Sequence, residues 1–469
     1  MNFLVVVADT FRRDHLGCYG GAVETPHLDR LASESLVFDR AYAGSFPTLP
    51  CRIELFTGRI AFPYRTWGPL PQDELVLSEV FRSAGYSTAL VSDNFPMGHA
   101  GYGFERGFET SIRVQGQWYD SFRPRQNDIS FPTNASWIGE PGRVQQYLTN
   151  VCDRATESDY FAPQTVESAC RWLETQGRRR PFLLWVDIFD PHEPWDPPRS
   201  YVPEAESDDF PWILYPHFGP ANRYTADQLE AMRALYRGEV RLVDRWIGVL
   251  LAKLKSLNLD DDTTIVFLSD HGMFFGEHNL LGKGSKIPGD IRGWPPYEEV
   301  AHIPLMVRVP GARAGRSQAM VHPGDLTPAL VELAGIPLPD RMTARSLLPI
   351  LSRQAETHRS TLMTSWALRG ARMTRPSVVR DDEWSMVFWR TGAPPELYHR
   401  ASDPGETRNL WPAEKAEGRR LHARMLEFLR ANQCTPRNYW PRRWFVSWGT
   451  TESVSERSLA ASPGSGTNG

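Results

Sequence analysis

Five short apolar runs, each closing in charged or polar residues and separated by helical segments, restrict what this chain can become. They are FLVVVADT (3–10), YSTALVSDN (86–94), PFLLWVDIFDPH (181–192), TTIVFLSDHG (263–272) and IPLMVRVPG (303–311). A run that is apolar at successive positions, not at every second one, suits a parallel strand covered on both faces. Between the runs lie helical patterns at 25–35, 77–85, 164–177 and 226–258, the last apolar at helical spacing across several turns. Strand alternating with helix predicts an α/β fold: a large, doubly wound mixed sheet with helices on both faces. Ligands of such sheets sit beyond the carboxyl ends of the strands. Asp9, Asp93, Asp190, Asp270 and His271 all stand there, which would gather them along one edge.

Beyond residue 350 the pattern shortens to mixed segments such as STLMTSWALRGARM, EWSMVFWR and PELYHRASD, with a helical stretch at 412–432. These predict a small C-terminal α+β subdomain built on an antiparallel sheet. The expected division is 1–350 for the catalytic α/β domain and 351–450 for the smaller subdomain. The Ser-, Gly- and Thr-rich segment 451–469 reads as a disordered tail.

Charge and cysteine usage narrow the function classes. The 469 residues carry a formal charge of −4, with no basic excess to suggest nucleic acid. Cys18, Cys51, Cys152, Cys170 and Cys434 are odd in number and lack metal-like spacing, so no disulfide framework is expected. The start, MNFLVVVADTFRRDH, reads as a strand and not a signal. No run approaches the ~18 to 20 apolar residues that cross a bilayer, and a cytoplasmic location without membrane contact is expected. Trp and Pro cluster around 181–220 and 290–310, where Trp195, Trp212 and Trp294 are candidates for pocket walls or plain surface packing.

The chemistry begins with SDHG (269–272), a carboxylate and an imidazole side by side at a strand end. Hard oxygen ligands with one imidazole suit Mn²⁺, Mg²⁺, Zn²⁺ or Ca²⁺, and Asp9 from another strand would complete three ligands with positions left open. An isolated Asp-His pair is more often a helix cap beside a surface histidine.

Longer motifs change that weighting. VVVADTFRRDHLGCYG, TPHLDRLASESLVFDRAYA, TLPCRIELFTGR, GYSTALVSDN, GFERGFE, FDPHEP, TIVFLSDHG, GEHNLLGKG, YEEVAHIPLMVRVPG and ELYHRASDPGETRNL run in one order along nearly the whole chain. In that order the sequence resembles the sulfatase branch of the alkaline phosphatase superfamily. The family signature is usually Cys-x-Pro-Ser-Arg followed by Leu-x-Thr-Gly-Arg. Aligned on Arg52 and Thr57-Gly58-Arg59, it puts Thr48 where sulfatases carry the cysteine or serine that is oxidised to formylglycine. That oxidation needs a CH₂ side chain, and threonine has a methyl group in the way. Cys51 cannot take over by a shift of register, because Arg52 and Ile53 follow it.

The resemblance implies a hydrolase with one divalent metal ion on Asp9, Asp270 and His271, Mn²⁺ or Zn²⁺ ahead of Ca²⁺ or Mg²⁺. Two departures support that order: Thr10 stands where most sulfatases have a second calcium-ligating Asp, and His271 replaces the commoner Asn, as in phosphonate monoester hydrolases. It further implies Thr48 as nucleophile, Arg52 fixing its loop, His192 as general acid and Lys283 on a substrate oxygen, with His278 behind them. Thr10, Asp93 and Asn94 are substrate-side candidates; Asp93-Asn94 replaces the Gly-Lys-Trp-His of many sulfatases. Arg113, Gln115 and Gln117 are candidates for the pocket mouth. A plain threonyl ester cannot expel sulfate as a formylglycine hydrate does, which favours phosphate or phosphonate mono- or diesters. The rivals are a sulfatase working without formylglycine and an inactive binding protein; transfer to an alcohol instead of water stays open. The partner expected is a small anionic ester, with a homo-oligomer left open.

Overall fold

The computed structural model describes residues 1–447 and 450–453, except 127, 178, 180, 287–292, 369–374 and 391–392. Its centre is an eight-stranded sheet. In chain order the strands are β1 (Asn2–Ala8), β2 (Leu36–Ala41), β3 (Ser87–Ser92), β4 (Thr110–Arg113), β5 (Phe182–Ile188), β6 (Thr263–Ser269), β7 (Leu305–Arg308) and β8 (Gly315–Val321). They lie in the order β8-β2-β7-β6-β1-β5-β3-β4.

β1 shows why its sequence reads as a continuous apolar run. Leu4, Val6 and Ala8 enter one core with the Phe161–Gln176 and Ala226–Ser256 helices. Phe3, Val5 and Val7 enter the opposite core with the Thr48–Thr57, Leu77–Ser83 and Leu326–Leu333 helices. Each of the Leu, Val and Phe side chains contributes roughly 1.5–3 kcal/mol of burial, so a polar replacement on either face is costly. The long helix starts at a reciprocal cap: Thr225 Oγ1 accepts from Gln228 N at 3.2 Å and the Gln228 side chain accepts from Thr225 N at 3.0 Å.

One strand corrects the parallel expectation. β7 runs antiparallel to both β6 and β2, whereas β1, β5, β6, β3 and β4 are mutually parallel. β6 ends at the ligand edge and β7 starts from that same edge, Leu305 pairing with Leu268, so β7 must run the other way.

A second sheet of five strands is ordered Glu396–His399, Trp384–Phe388, Ser377–Arg380, Leu362–Trp366 and Ser45–Phe46. Neighbours among the four C-terminal strands pair antiparallel, and the Lys415–Ala431 helix packs on them through Leu421, Met425 and Leu429. The fifth strand comes from the N-terminal region and pairs parallel to Leu362–Trp366. It leads straight into the Thr48–Thr57 helix, so the C-terminal sheet braces the start of that helix. Trp444–Ser447 pairs antiparallel with Thr450–Ser453, which includes the first residues of the expected tail; 454–469 lie outside the described residues. Among the described residues no helix is long and apolar enough to cross a membrane.

Candidate active site

Ala8 and Ser269 face one another across the β1–β6 ladder, so the residues that follow, Asp9 and Asp270, leave the sheet side by side. With His271 they form the one group among the described residues whose carboxylate and imidazole atoms lie within 4.8 Å of one another, as metal ligands must; all three are fully buried. Thr10, between the strand and the loop, adopts φ +60°, a conformation a β-branched residue rarely takes. Three bonds hold it there. Its N–H donates to Asp270 Oδ1 at 2.9 Å, its carbonyl accepts from the Tyr236 hydroxyl at 2.8 Å, and its hydroxyl donates to Asp9 Oδ1 at 2.7 Å.

Thr48 opens a ten-residue helix buried along its whole length, with its backbone N–H end toward the cluster. Arg52 follows one turn later on the same face. Its Nε and Nη2 grip Asp187 at 3.2 and 2.8 Å, while Nη1 reaches Asp9 at 3.2 Å and also contacts Asp270. Three fully buried carboxylates therefore share one guanidinium, two negative charges in excess. Burial, joined by repulsion from Asp270, pushes the Asp9 carboxyl up against the pull of Arg52, and burial raises Asp187 as well. Burial works against the Arg52 charge too, but Asp187, Asp270 and Asp9 outweigh it and hold the guanidinium charged.

His271 Nδ1 donates to the Gly272 carbonyl at 2.9 Å, which leaves Nε2 as a lone pair facing the Thr48 hydroxyl at 3.3 Å. Burial, with Lys283 nearby, pushes this imidazole down to about 3, so it is neutral at physiological pH. A neutral nitrogen and two carboxylates converging on a pocket with two uncompensated negative charges fit a divalent cation. Mn²⁺ at a hundred times its Kd is expected to stabilise the folded chain by about 2.7 kcal/mol, read as a rise in Tm that a chelator reverses. A Tm indifferent to both would remove the cation from the account.

Around this centre, Lys283 Nζ donates to Thr10 Oγ1 at 3.1 Å and lies 3.4 Å from Glu193. Asn94 Nδ2 bridges Asp9 at 3.1 Å and Asp187 at 3.2 Å. His192 donates Nδ1–H to the Glu193 carbonyl at 2.6 Å and stacks on Phe189 with centroids 4.1 Å apart. Burial, then Lys283, holds it well below the usual histidine range. Other candidates sit elsewhere. Asp93 accepts from Phe189 N at 2.9 Å and faces Asp190, not the cation ligands. Arg113 pairs with Asp120 and the Gly98 carbonyl, and Gln115 is exposed. Gln117 is buried and donates to Asp190. His278 stacks on Tyr297. Trp195 is not a pocket wall: it is fully buried in the core against Phe275. Trp212 packs on Phe210, and Trp294 sits in the cluster around Phe46.

Sequence reasoning missed Asp187, Glu193 and Tyr236. Asp187 carried one signal, a lone carboxylate inside the apolar strand FLLWVDI.

Beyond the strand ends of a doubly wound sheet, a buried hydroxyl thus faces a cation-ready cluster, the apparatus of a hydrolytic centre for anionic esters. Comparison with known proteins agrees. The sulfatase family model matches residues 1–336, and the C-terminal model of N-sulphoglucosamine sulphohydrolase matches 294–433. The chain belongs to the sulfatase family and is an ester hydrolase. It is 24% identical to an arylsulfatase of Clostridium perfringens, over 89% of this chain and 92% of the other. It is 26% identical to the multifunctional alkaline phosphatase superfamily protein PehA of Trinickia caryophylli, over 87% and 91%. Among solved structures, the phosphonate monoester hydrolase of Agrobacterium radiobacter superposes with a TM-score of 0.72 at 22% identity, covering 97% of this chain and 99% of that one.

Proposed function

We propose that this chain hydrolyses phosphate or phosphonate mono- or diesters through a covalent intermediate on Thr48. The observation that carries this reading is the Thr48 hydroxyl 3.3 Å from His271 Nε2, at the head of a buried helix and beside two further cation-ligand candidates. Asp9, Asp270 and His271 would hold one divalent cation. When bound, such a cation lowers the pKa of a coordinated oxygen acid from ~15.7 toward neutrality and draws charge from a substrate oxygen. His271 is too weak a base to deprotonate an alkanol by itself, which is why the cation belongs in the proposal.

The Thr48 oxygen forms its bond to phosphorus as the bond from phosphorus to the leaving alcohol breaks; water then attacks phosphorus and returns the hydroxyl to Thr48. Arg52, committed to three carboxylates, positions the first turn of the helix instead of touching substrate. Lys283 offers its ammonium to a non-bridging oxygen. His192 Nε2, unprotonated while Nδ1–H is engaged, would take up the proton that Thr48 releases, an anionic ester beside it offsetting Lys283, and pass it to the leaving oxygen. Thr10 and Asn94 fix the ligand carboxylates.

A second reading, hydrolysis of sulfuric esters, is favoured by the arylsulfatase relative. Mn²⁺-loaded protein assayed on matched aryl sulfate, phosphate, phosphodiester and phenylphosphonate esters separates the two. The phosphorus esters are expected to turn over faster, with an intact mass equal to that of the unmodified sequence. Predominant sulfate release, or an oxidised residue at 48, would transfer the case to the second reading.

A further inference from the structure

A carboxylate taken out of water costs free energy unless a cation or donors meet it. Glu193, 1% exposed, is met by Lys283 and His192, the two residues proposed above to handle the ester oxygens. One oxygen serves both: Glu193 Oε2 lies 3.4 Å from Lys283 Nζ and 3.3 Å from His192 Nδ1. The backbone of the same residue adds a third contact, its carbonyl accepting His192 Nδ1–H at 2.6 Å. Burial pushes the Glu193 carboxyl up, against the pull of Lys283.

The other charges nearby are committed elsewhere. Lys286 pairs with Glu140 at 2.7 Å and donates to the Tyr215 hydroxyl at 2.6 Å, and Arg52 is shared by Asp9, Asp187 and Asp270. Among the described residues Glu193 is the one carboxylate within ion-pair range of Lys283 or of His192. Burial, then Lys283, disfavours a charged His192. A proton in transit on that ring makes it a second cation close to the ammonium, and the Oε2 charge between them offsets the repulsion.

We infer that Glu193 is a positioning residue of the proton transfer: its carboxylate anchors Lys283 and backs His192 Nδ1, so that the imidazole can carry the proton from Thr48 to the leaving oxygen. This rests on the ester-hydrolase reading above. In a Ser-His-Asp triad one buried carboxylate both fixes the histidine tautomer and stabilises the imidazolium. Here the Glu193 carbonyl does the first and its carboxylate the second.

Glu193→Gln keeps the shape and removes the charge. Metal-loaded wild-type and variant proteins are compared on two phenylphosphonate monoesters, one releasing phenol and one releasing 4-nitrophenol. Phenolate, the more basic leaving group, needs the relayed proton, whereas 4-nitrophenolate departs without it. The variant is expected to lose about 10²-fold in kcat on the phenyl ester and less than about tenfold on the nitrophenyl ester. Both rates come from one preparation, so a reduced folded fraction cancels from their ratio. Equal losses on the two esters, or no loss on either, overturn the inference. If the Gln protein does not fold, Glu193→Asp, which keeps the charge and draws it back by one methylene, replaces it: a smaller but still selective loss supports the role, and an equal loss overturns it. If the wild-type protein turns over neither ester, the hydrolase reading fails separately, and calorimetry with inorganic phosphate decides the charge pairing. Severalfold tighter binding to Glu193→Gln, from which a negative charge beside Lys283 has been removed, supports it; equal, weaker or absent binding overturns it.

Discussion

Thr48→Ala is expected to lower kcat by about 10³- to 10⁶-fold, the range seen when a covalent nucleophile is removed. The folded chain should barely notice. Thr48 makes one long contact, to His271 Nε2 at 3.3 Å, and its methyl group already supplies the small volume that alanine keeps. Tm should stay within a few degrees, and the Mn²⁺-induced rise should persist because Asp9, Asp270 and His271 are untouched. Thr48→Ser keeps the hydroxyl and should keep measurable turnover. Paired kinetics and melting curves decide the matter: an Ala variant with near wild-type kcat would place the nucleophile elsewhere, with water as the first alternative.

Arg52→Met is expected to be the most destabilising single change near the site. The guanidinium is fully buried among Asp9, Asp187 and Asp270, and methionine fills much of its volume without its charge. Breaking a buried ion pair from one side typically costs about 3–5 kcal/mol, and here three carboxylates lose their shared partner. Divalent cation should restore part of the loss, since it acts on two of the same carboxylates. Arg52→Lys should recover less than charge alone suggests, because the two-pronged grip on Asp187, at 3.2 and 2.8 Å, needs a planar fork. Denaturant titration with and without Mn²⁺ measures both effects. An Arg52→Met protein as stable as the wild type would mean that the carboxylates are held mostly neutral by protonation.

What could be read in the sequence follows the range of the forces involved. β1, β3, β5 and β6 announce themselves because both faces of each strand are buried, which leaves apolar residues at successive positions. The placement of Asp9 and Asp270 at strand ends was visible for the same reason: the apolar run stops abruptly where polar chemistry starts. Thr48 carries no such local sign and was singled out by its offset from Arg52 in a known motif. Ser45–Phe46 is too short for any periodicity, so its pairing with Leu362–Trp366, more than three hundred residues away, could not be anticipated. Asp187 hid inside a strand, where a carboxylate is tolerated only because Arg52 arrives from a distant helix. Trp195 went the other way: a Pro- and Trp-rich segment suggested a pocket wall, and the ring turned inward to pack on Phe275.

The most direct measurement of the central claim is acid quenching during turnover of an aryl phosphodiester or phenylphosphonate, followed by accurate-mass peptide mapping. The account predicts a phosphoryl or phosphonyl adduct on the peptide containing Thr48, assigned to that residue and absent from Thr48→Ala. Steady turnover with the adduct on Cys51, or with no adduct in a quench fast enough to sample a single turnover, would contradict it.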